Sequence, residues 1–302
     1  MMNNLDNLTR FIVTSPYHGM RIDQALTSAF PSFSRTYMQY LISEGFVKLN
    51  GAAVKKRERV SEKDSIEVIF QTLPASEVIA QDIPLKIVYE DEDMLVIDKP
   101  QGMVAHPAPG NWSDTVVNAL LHHCRELSFD DEDIRPGIVH RLDKDTSGLM
   151  ILAKNYETQK ILMTQFASRD IHKTYLALCH RSPKVAVVDM PIGRDQKKRQ
   201  QMCVTNNGKE AVTHIEILMQ NHGLSLVSLR PITGRTHQIR VHLSYLGCPL
   251  LGDNMYGIAS LNDKWGFTKH CLHSHRISFI HPKQKTRIEL TSELPSWYNF
   301  LE

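Results

Sequence analysis

Residues 137–154 read GIVHRLDKDTSGLMILAK, and the rest of the chain is best organised around them. Gly137-Ile138-Val139 leads in with β-branched residues, Asp143 to Gly148 is a polar turn, and Leu149 to Ala153 is an apolar run of buried-strand length. Extended backbone through His140 to Asp143 puts Arg141 and Asp143 on one face and His140 and Leu142 on the other. An acid and a base then sit side by side between two apolar segments. Taken alone, an Arg-x-Asp of this kind is most simply a surface ion pair at a strand end.

Composition narrows the field. The chain has 302 residues, of which 42% are hydrophobic and 23% charged, the balance of a soluble globular protein with one large domain or two. A net charge of +2 supplies no global field for a polyanion, so nucleic-acid affinity must come from local basic patches. Five scattered cysteines (Cys124, Cys179, Cys203, Cys248, Cys271) form no C-x-x-C pair, which argues against a disulfide framework and a cysteine-type zinc site and suits a reducing cytoplasm. The opening MMNNLDNLTRFIV lacks a basic region followed by a long apolar one, and no run approaches a membrane span. There is no H-x-E with P-C-x-x-C, which removes a zinc deaminase.

HRLDKDTSG (140–148) resembles the signature of the pseudouridine synthases of the large-ribosomal-subunit type, and further stretches share the likeness. They are KTYLAL (173–178), PITGRTHQIRVHL (231–243), PLLGDNMYG (249–257) and HPKQ (281–284), with PIGRDQKKRQ and GKEAVTHIEIL between them. The likeness runs from about residue 85 to the end. It implies an α+β fold, a mixed and mostly antiparallel β-sheet flanked by helices with a central cleft, and an isomerase that turns uridine into pseudouridine in RNA without a cofactor or metal. It implies Asp143 as the catalytic carboxylate, Arg240 as its salt-bridge partner, Tyr175 against the flipped base, and Arg141 in the gap that the base leaves. Family members usually carry Ala where Ser274 stands. The substrate it implies is ribosomal RNA or a precursor of the large ribosomal subunit, with transfer RNA the substrate of close relatives.

Residues 20–70 have a pattern of their own after a short lead-in over 1–19. Ser34 suits a helix N-cap, Tyr37, Met38, Leu41 and Ile42 recur at helical spacing, and Gly45 sits at the C-cap. Asn50-Gly51 is a hairpin turn, and Ser65 to Ile69 alternates as a strand. Arg35, Lys48, Lys55, Lys56 and Arg57 cluster around these elements, and as a bare charge run they are a solvated face. RIDQAL (21–26) with SRTYMQYLISEGFVKLNG (34–51) resembles the small S4 RNA-binding module, which implies that the same residues lie on RNA backbone, where contacts position without reading sequence. Residues 71–84, with few periodic positions, are an interdomain linker, and 85–302 the catalytic domain.

Beyond the linker, helices are expected over Thr115 to His123, Gln159 to Ala167, and from a Thr236 cap to about Leu246. Strands are expected over Ile87 to Asp98 with a turn inside, Lys173 to Leu178, Ala211 to Leu218 and Leu224 to Leu229. A lone Tyr175 in a strand is ordinarily packing, and His106, in a proline-rich loop, is read as structural. GRDQKKRQ (193–200) suits either a surface excursion or a phosphate-gripping loop. His270, His273 and His275 are the only cluster that suggests metal, and without a third ligand on one face they make no site. Two other functions remain to weigh: a noncatalytic RNA binder, disfavoured because Asp143, Tyr175 and Arg240 are all present, and a glycosidase using Asp143 and Asp145, which stand too close in sequence to flank a sugar. A cytoplasmic monomer with no membrane contact and no obligate protein partner completes the reading.

Overall fold

A computed structural model describes residues 8–31, 33, 35–70, 78–107, 113–124, 136–198 and 200–301. The chain divides into two compact units, Met1–Ser76 and Glu77–Glu302. Ser34, Pro109, Gly110 and much of the 71–84 linker lie outside the described residues.

In the first unit β1 (Leu8–Ile12), α1 (Ile22–Ala29), α2 (Arg35–Ser43), β2 (Val47–Leu49), β3 (Ala52–Ala53) and β4 (Ser65–Ile69) follow in order. Its sheet runs β1-β4-β2-β3. Asn50 and Gly51 both have positive φ (52° and 82°), as a type I′ hairpin between β2 and β3 requires. Ile22, Leu26, Met38, Leu41, Val47, Ile66 and Val68 form the core between helices and sheet. Asp23 is fully buried there, and it is accommodated because Arg21, Arg35 and Gln39 all donate to its carboxylate.

The second unit carries β5 (Ile87–Glu90), β6 (Met94–Lys99), α3 (Val116–His123), β7 (Ser147–Ala153), α4 (Tyr156–Ser168), β8 (His172–His180), β9 (Val187–Asp189), β10 (Ile192–Arg194) and β11 (Met202–Val204). Then come β12 (Val212–Asn221), β13 (Leu224–Pro231), α5 (Gln238–Tyr245), α6 (Ala259–Trp265), β14 (Leu272–Ile280) and β15 (Arg287–Thr291). One sheet of nine strands runs β5-β6-β7-β14-β8-β13-β12-β9, with β15 on β14, and β10 pairs with β11 separately. Only the β7–β14 pairing in that sheet is parallel, so the expected mixed, mostly antiparallel α+β architecture is what forms.

Central strands are apolar on both faces for a physical reason. β6 and β7 are covered on each side, so MLVIDK and GLMILA bury nearly every residue instead of alternating. Leu95, Ile97, Met150 and Leu152 share one core with Val116, Leu120, Leu229 and Leu243; Val96, Leu149 and Ile151 share the opposite one with Leu162 and Phe279. Thr115 caps α3 through a capping box with Asn118, and Asn155 caps α4 by accepting from Thr158 N. His281, in the closing HPKQ, has a structural explanation: its Nδ1 accepts from Lys283 N and Gln284 N, while its Nε2 reaches Asp91 in the β5–β6 turn at 2.6 Å.

The loop that carries Asp143 is held from three sides. Behind it, Gly148 starts β7 at φ +103°, and a Cβ there would lie 2.3 Å from Ser274 O of β14. Below it, the fully buried Lys99 donates from Nζ to Pro100 O, Met103 O and Lys144 O at 2.9 to 3.1 Å, spending its three hydrogens on backbone. Burial pushes this ammonium down to about 8 against the pull of Asp145 and Asp143. The third tie is His140, whose Nε2 accepts from Ile151 N and whose ring stacks on Phe166 at 4.5 Å.

Candidate active site

The backbone from Val139 to Asp143 is a loop joined to β7 by one bridge, Ile138 to Leu152, and is not the extended strand that alternation suggests. Ties from Lys99 and His140 take the place of a ladder. Burial still alternates, with Arg141 exposed, Leu142 buried and Asp143 half-buried. Asp143 and Arg141 both face an open cavity of about 490 Å³ whose walls include Phe166, Lys173, Tyr175, Ile239 and Arg240.

Arg240, on the first turns of α5, reaches back across 97 positions to place Nη1 2.8 Å from Asp143 Oδ2. Its other edge is clamped by Asp253, with Nε to Oδ2 at 2.8 Å and Nη2 to Oδ1 at 3.0 Å. The Asp253 side chain is 0% exposed and also accepts from Met255 N and Tyr256 N. Tyr256 lies under the guanidinium carbon at 5.0 Å. A bidentate carboxylate plus a ring face fixes a planar cation in a way a lysine could not match, so Arg240 presents its Nη1 to one Asp143 oxygen at a set angle.

This arrangement holds Asp143 ionised. Burial alone would raise its carboxyl, but the charges of His237 and Arg240, with the Arg240 hydrogen bond, outweigh it and the net shift is downward. His237 is itself lowered, first by burial, so near neutral pH the permanent guanidinium carries the effect. Tyr175, on β8, is buried, and burial followed by the Asp143 charge pushes its phenol up to about 12, so it stays protonated. Lys173 lines the same cavity one alternation away on β8, with its ammonium 5.5 Å from the Phe166 ring centre. Ser274 pairs with Tyr175 across β14 and β8.

The helix carrying Arg240 begins later than Thr236 suggests. His237 is the N-cap, in the left-handed region at φ 56° and ψ 22°, and makes no side-chain cap bond. Gln238 ties down the preceding loop instead: its Oε1 accepts from Arg235 N and Thr233 Oγ1, and its Nε2 donates to Val212 O and Thr213 Oγ1. His237, Asp253 and Tyr256 are three site residues not singled out from sequence. PLLGDNMYG carries two of them, but nothing in its spacing ties Asp253 or Tyr256 to Arg240.

The five basic residues that the S4 resemblance places on RNA divide. Lys48, Lys55, Lys56 and Arg57 are exposed, whereas Arg35 is partly engaged in the Asp23 pair at 2.8 Å. The histidine-rich stretch is occupied by hydrogen bonds: His270 with Thr146, His273 with Ser147 and Ser292, and His275 with Ser292. Among the described residues the one grouping with metal-ligand spacing is Glu90, His123 and Cys124, where Lys154 already sits 2.6 Å from Glu90. None of these lines the cavity.

Residues 93–245 match the family model described as RNA pseudouridylate synthase. An uncharacterised RNA pseudouridine synthase of Bacillus subtilis (strain 168) is 43% identical over 91% of this chain and 90% of its own. The ribosomal large subunit pseudouridine synthase D of Nitrosomonas europaea is 40% identical over 96% of this chain and 86% of its own. Among solved structures, human RNA pseudouridylate synthase domain containing 1 superposes with a TM-score of 0.58 at 28% identity, covering 72% of this chain and 86% of that one.

Proposed function

The chain belongs to the RNA pseudouridine synthase family, isomerases that act on RNA, and from that premise we propose that it modifies uridines of large-subunit (23S) ribosomal RNA with Asp143 as the catalytic carboxylate. The observation that carries the assignment is the Asp143–Arg240 pair at 2.8 Å, in the wall of an open cavity that Tyr175 also lines. The ribosomal substrate is supported by the names of relatives such as synthase D from Zymomonas mobilis, 40% identical over 94% of this chain.

The reaction breaks the bond from ribose C1′ to N1, turns the base, joins C5 to C1′, and transfers a proton away from C5 and one onto N1. Nothing is oxidised and no atom is gained. Attack by the carboxylate on sugar or base, or removal of a ribose proton, each require Asp143 as the anion, which is the state its surroundings favour. A stacked uridine does not expose C1′, so the nucleotide leaves the helix at a cost of about a few kcal/mol. In this reading the cavity beside Asp143 receives it. Arg141, exposed at its rim, fills the vacated stack with a flat cation, and Tyr175 lies against the extruded ring. Arg169, Lys173 and Arg235 also line it and suit a phosphate backbone.

Residues 20–70 act in this reading as an S4-like RNA-binding domain, with Arg35, Lys48, Lys55, Lys56 and Arg57 on phosphates, joined through 71–84 to the catalytic domain of 85–302. The protein works as a cytoplasmic monomer without a cofactor or an obligate partner, and no described helix is long and apolar enough to cross a membrane. Chemical mapping of pseudouridine in large-subunit and transfer RNA transcripts incubated with the protein tests the substrate. New pseudouridine in the ribosomal transcript is expected, and modification confined to transfer RNA overturns that part.

A further inference from the structure

Between Asp143 and the β10–β11 hairpin runs a line of polar groups that the reaction above leaves unused. His237 holds a left-handed backbone that costs a residue with a Cβ about 1–2 kcal/mol. Its side chain is 15% exposed, with Nδ1 2.8 Å from Tyr256 Oη and Nε2 3.8 Å from Asp143 Oδ1. Tyr256 Oη also accepts from Met202 N, the first residue of β11, at 2.8 Å.

Proton accounting settles which nitrogen carries hydrogen. A phenol has one hydrogen and two lone pairs, and Met202 N, which can only donate, takes one of the pairs. Were Nδ1 the donor, Tyr256 would accept twice and its own O–H would have no acceptor among the described residues. With Nδ1 bare, the O–H donates to it and the phenol's hydrogen and its Met202 contact are both matched. The single imidazole hydrogen is then on Nε2, aimed at the Asp143 oxygen that Arg240 does not hold. Burial, Arg240 and Arg141 disfavour a second proton on the ring, against the pull of Asp143 and Asp253.

We propose that His237 is a positioning residue: its Nε2–H, set by Tyr256 and through it by the backbone of β11, holds Asp143 Oδ1 while Arg240 holds Oδ2. Two donors on two oxygens fix the plane of the carboxylate. One donor alone would leave it free to turn about the Cβ–Cγ bond. The 3.8 Å gap closes as uridine enters, since catalytic contacts in the free enzyme are commonly longer than in the substrate complex. This inference rests on Asp143 as the catalytic carboxylate.

Substitutions at 237 separate the donor from the backbone. Asn tolerates left-handed φ and puts an amide where Nδ1 lies, but does not reach Asp143. Gln carries an N–H to about the Nε2 position. In H237N kcat should fall about a hundredfold, the scale of a misplaced reacting group. KM should stay within about twofold, the pattern of an interaction made only in the transition state. H237Q should recover most of the loss, and Y256F should lose part of it with melting behaviour near wild type. A long-range ¹H–¹⁵N spectrum of histidine-labelled protein should show Nδ1 of His237 bare and Nε2 protonated at neutral pH. The donor role is overturned if H237N keeps full kcat, if H237Q does no better than H237N, or if Nδ1 carries the hydrogen. It is also overturned if a neutral-range limb in the wild-type kcat profile disappears in H237Q, the mark of a proton-transferring group. D143N in the same series keeps the two readings apart: an inactive D143N beside a fully active H237N sinks the inference alone, and an active D143N sinks the reading beneath it.

Discussion

Replacing Arg240 with Met keeps length and apolar stem while removing one guanidinium that serves two carboxylates. Three charge-assisted bonds go, two at 2.8 and 3.0 Å to the fully buried Asp253 and one at 2.8 Å to Asp143. Asp253 keeps only its two backbone donors, and leaving a buried charge without its partner costs about 3–5 kcal/mol. That is a large part of the stability of an ordinary domain, so Tm should drop clearly while folding persists at low temperature. At Asp143 the burial that raises its carboxyl remains and the main neutral-pH force lowering it is gone, so its pKa moves up. A carboxylate with a raised pKa gains ionised fraction as pH rises. The residual rate of Arg240→Met should therefore climb with pH across a range where the wild type is flat. At pH 7 the combined loss of charge and orientation should lower kcat by about a hundredfold or more, the scale of removing one preorganised donor. Arg240→Lys, which restores a point charge without the fork, should fall between the two. Tritium release from RNA labelled at uridine C5, followed against pH, reads all of this. A variant turning over near the wild-type rate would refute the pairing, however the melting curve behaves.

Other consequences can be checked alongside. Gly148→Ala forces a Cβ to 2.3 Å from Ser274 O at positive φ, and the strain should cost about 1–3 kcal/mol in a urea titration; an unchanged midpoint would mean the β7–β14 approach is not tight. Lys99→Met strips the donor from three backbone carbonyls, one of them Lys144 O beside Asp143, and should lower stability by about 3 kcal/mol and kcat with it. Asp23, Asp143 and Asp253 are all lowered on folding, so their stabilisation is complete above the ordinary carboxylate range and disappears as pH falls through the folded values; Tm should hold from pH 7 to 5 and fall below about 4. Equal Tm at pH 3 and pH 7 would contradict that.

Much of this was legible in the order of residues, and the parts that were not share a cause. Period-two runs and the Asn50-Gly51 turn act through neighbours in sequence, so local chemistry reveals them; the helix expected from Gln159 begins three residues earlier, at Tyr156 behind the Asn155 cap. The His140–Asp143 loop read as a strand because its β-branched lead-in and polar turn look like one, whereas distant groups, Lys99 and the Ile151 amide, hold it. Thr236 looked like the cap of α5, but Gln238 folds back to satisfy the loop and frees His237 to take a strained backbone. Asp143 and Arg240 were paired through motif likeness; a separation of 97 positions puts their contact beyond any spacing rule. Asp253 and Tyr256 stayed hidden for the same reason, since a clamp behind an arginine is visible only once the arginine's surroundings are known.

The central claim is that the carboxylate at 143 carries the chemistry. Purified wild type and Asp143→Asn, compared on ribosomal RNA labelled at uridine C5, put it to the most direct test when tritium release and RNA affinity are measured on the same samples. The account predicts release without loss of uracil for the wild type, and for the variant no release with affinity retained. Release by Asp143→Asn at close to the wild-type rate would contradict it.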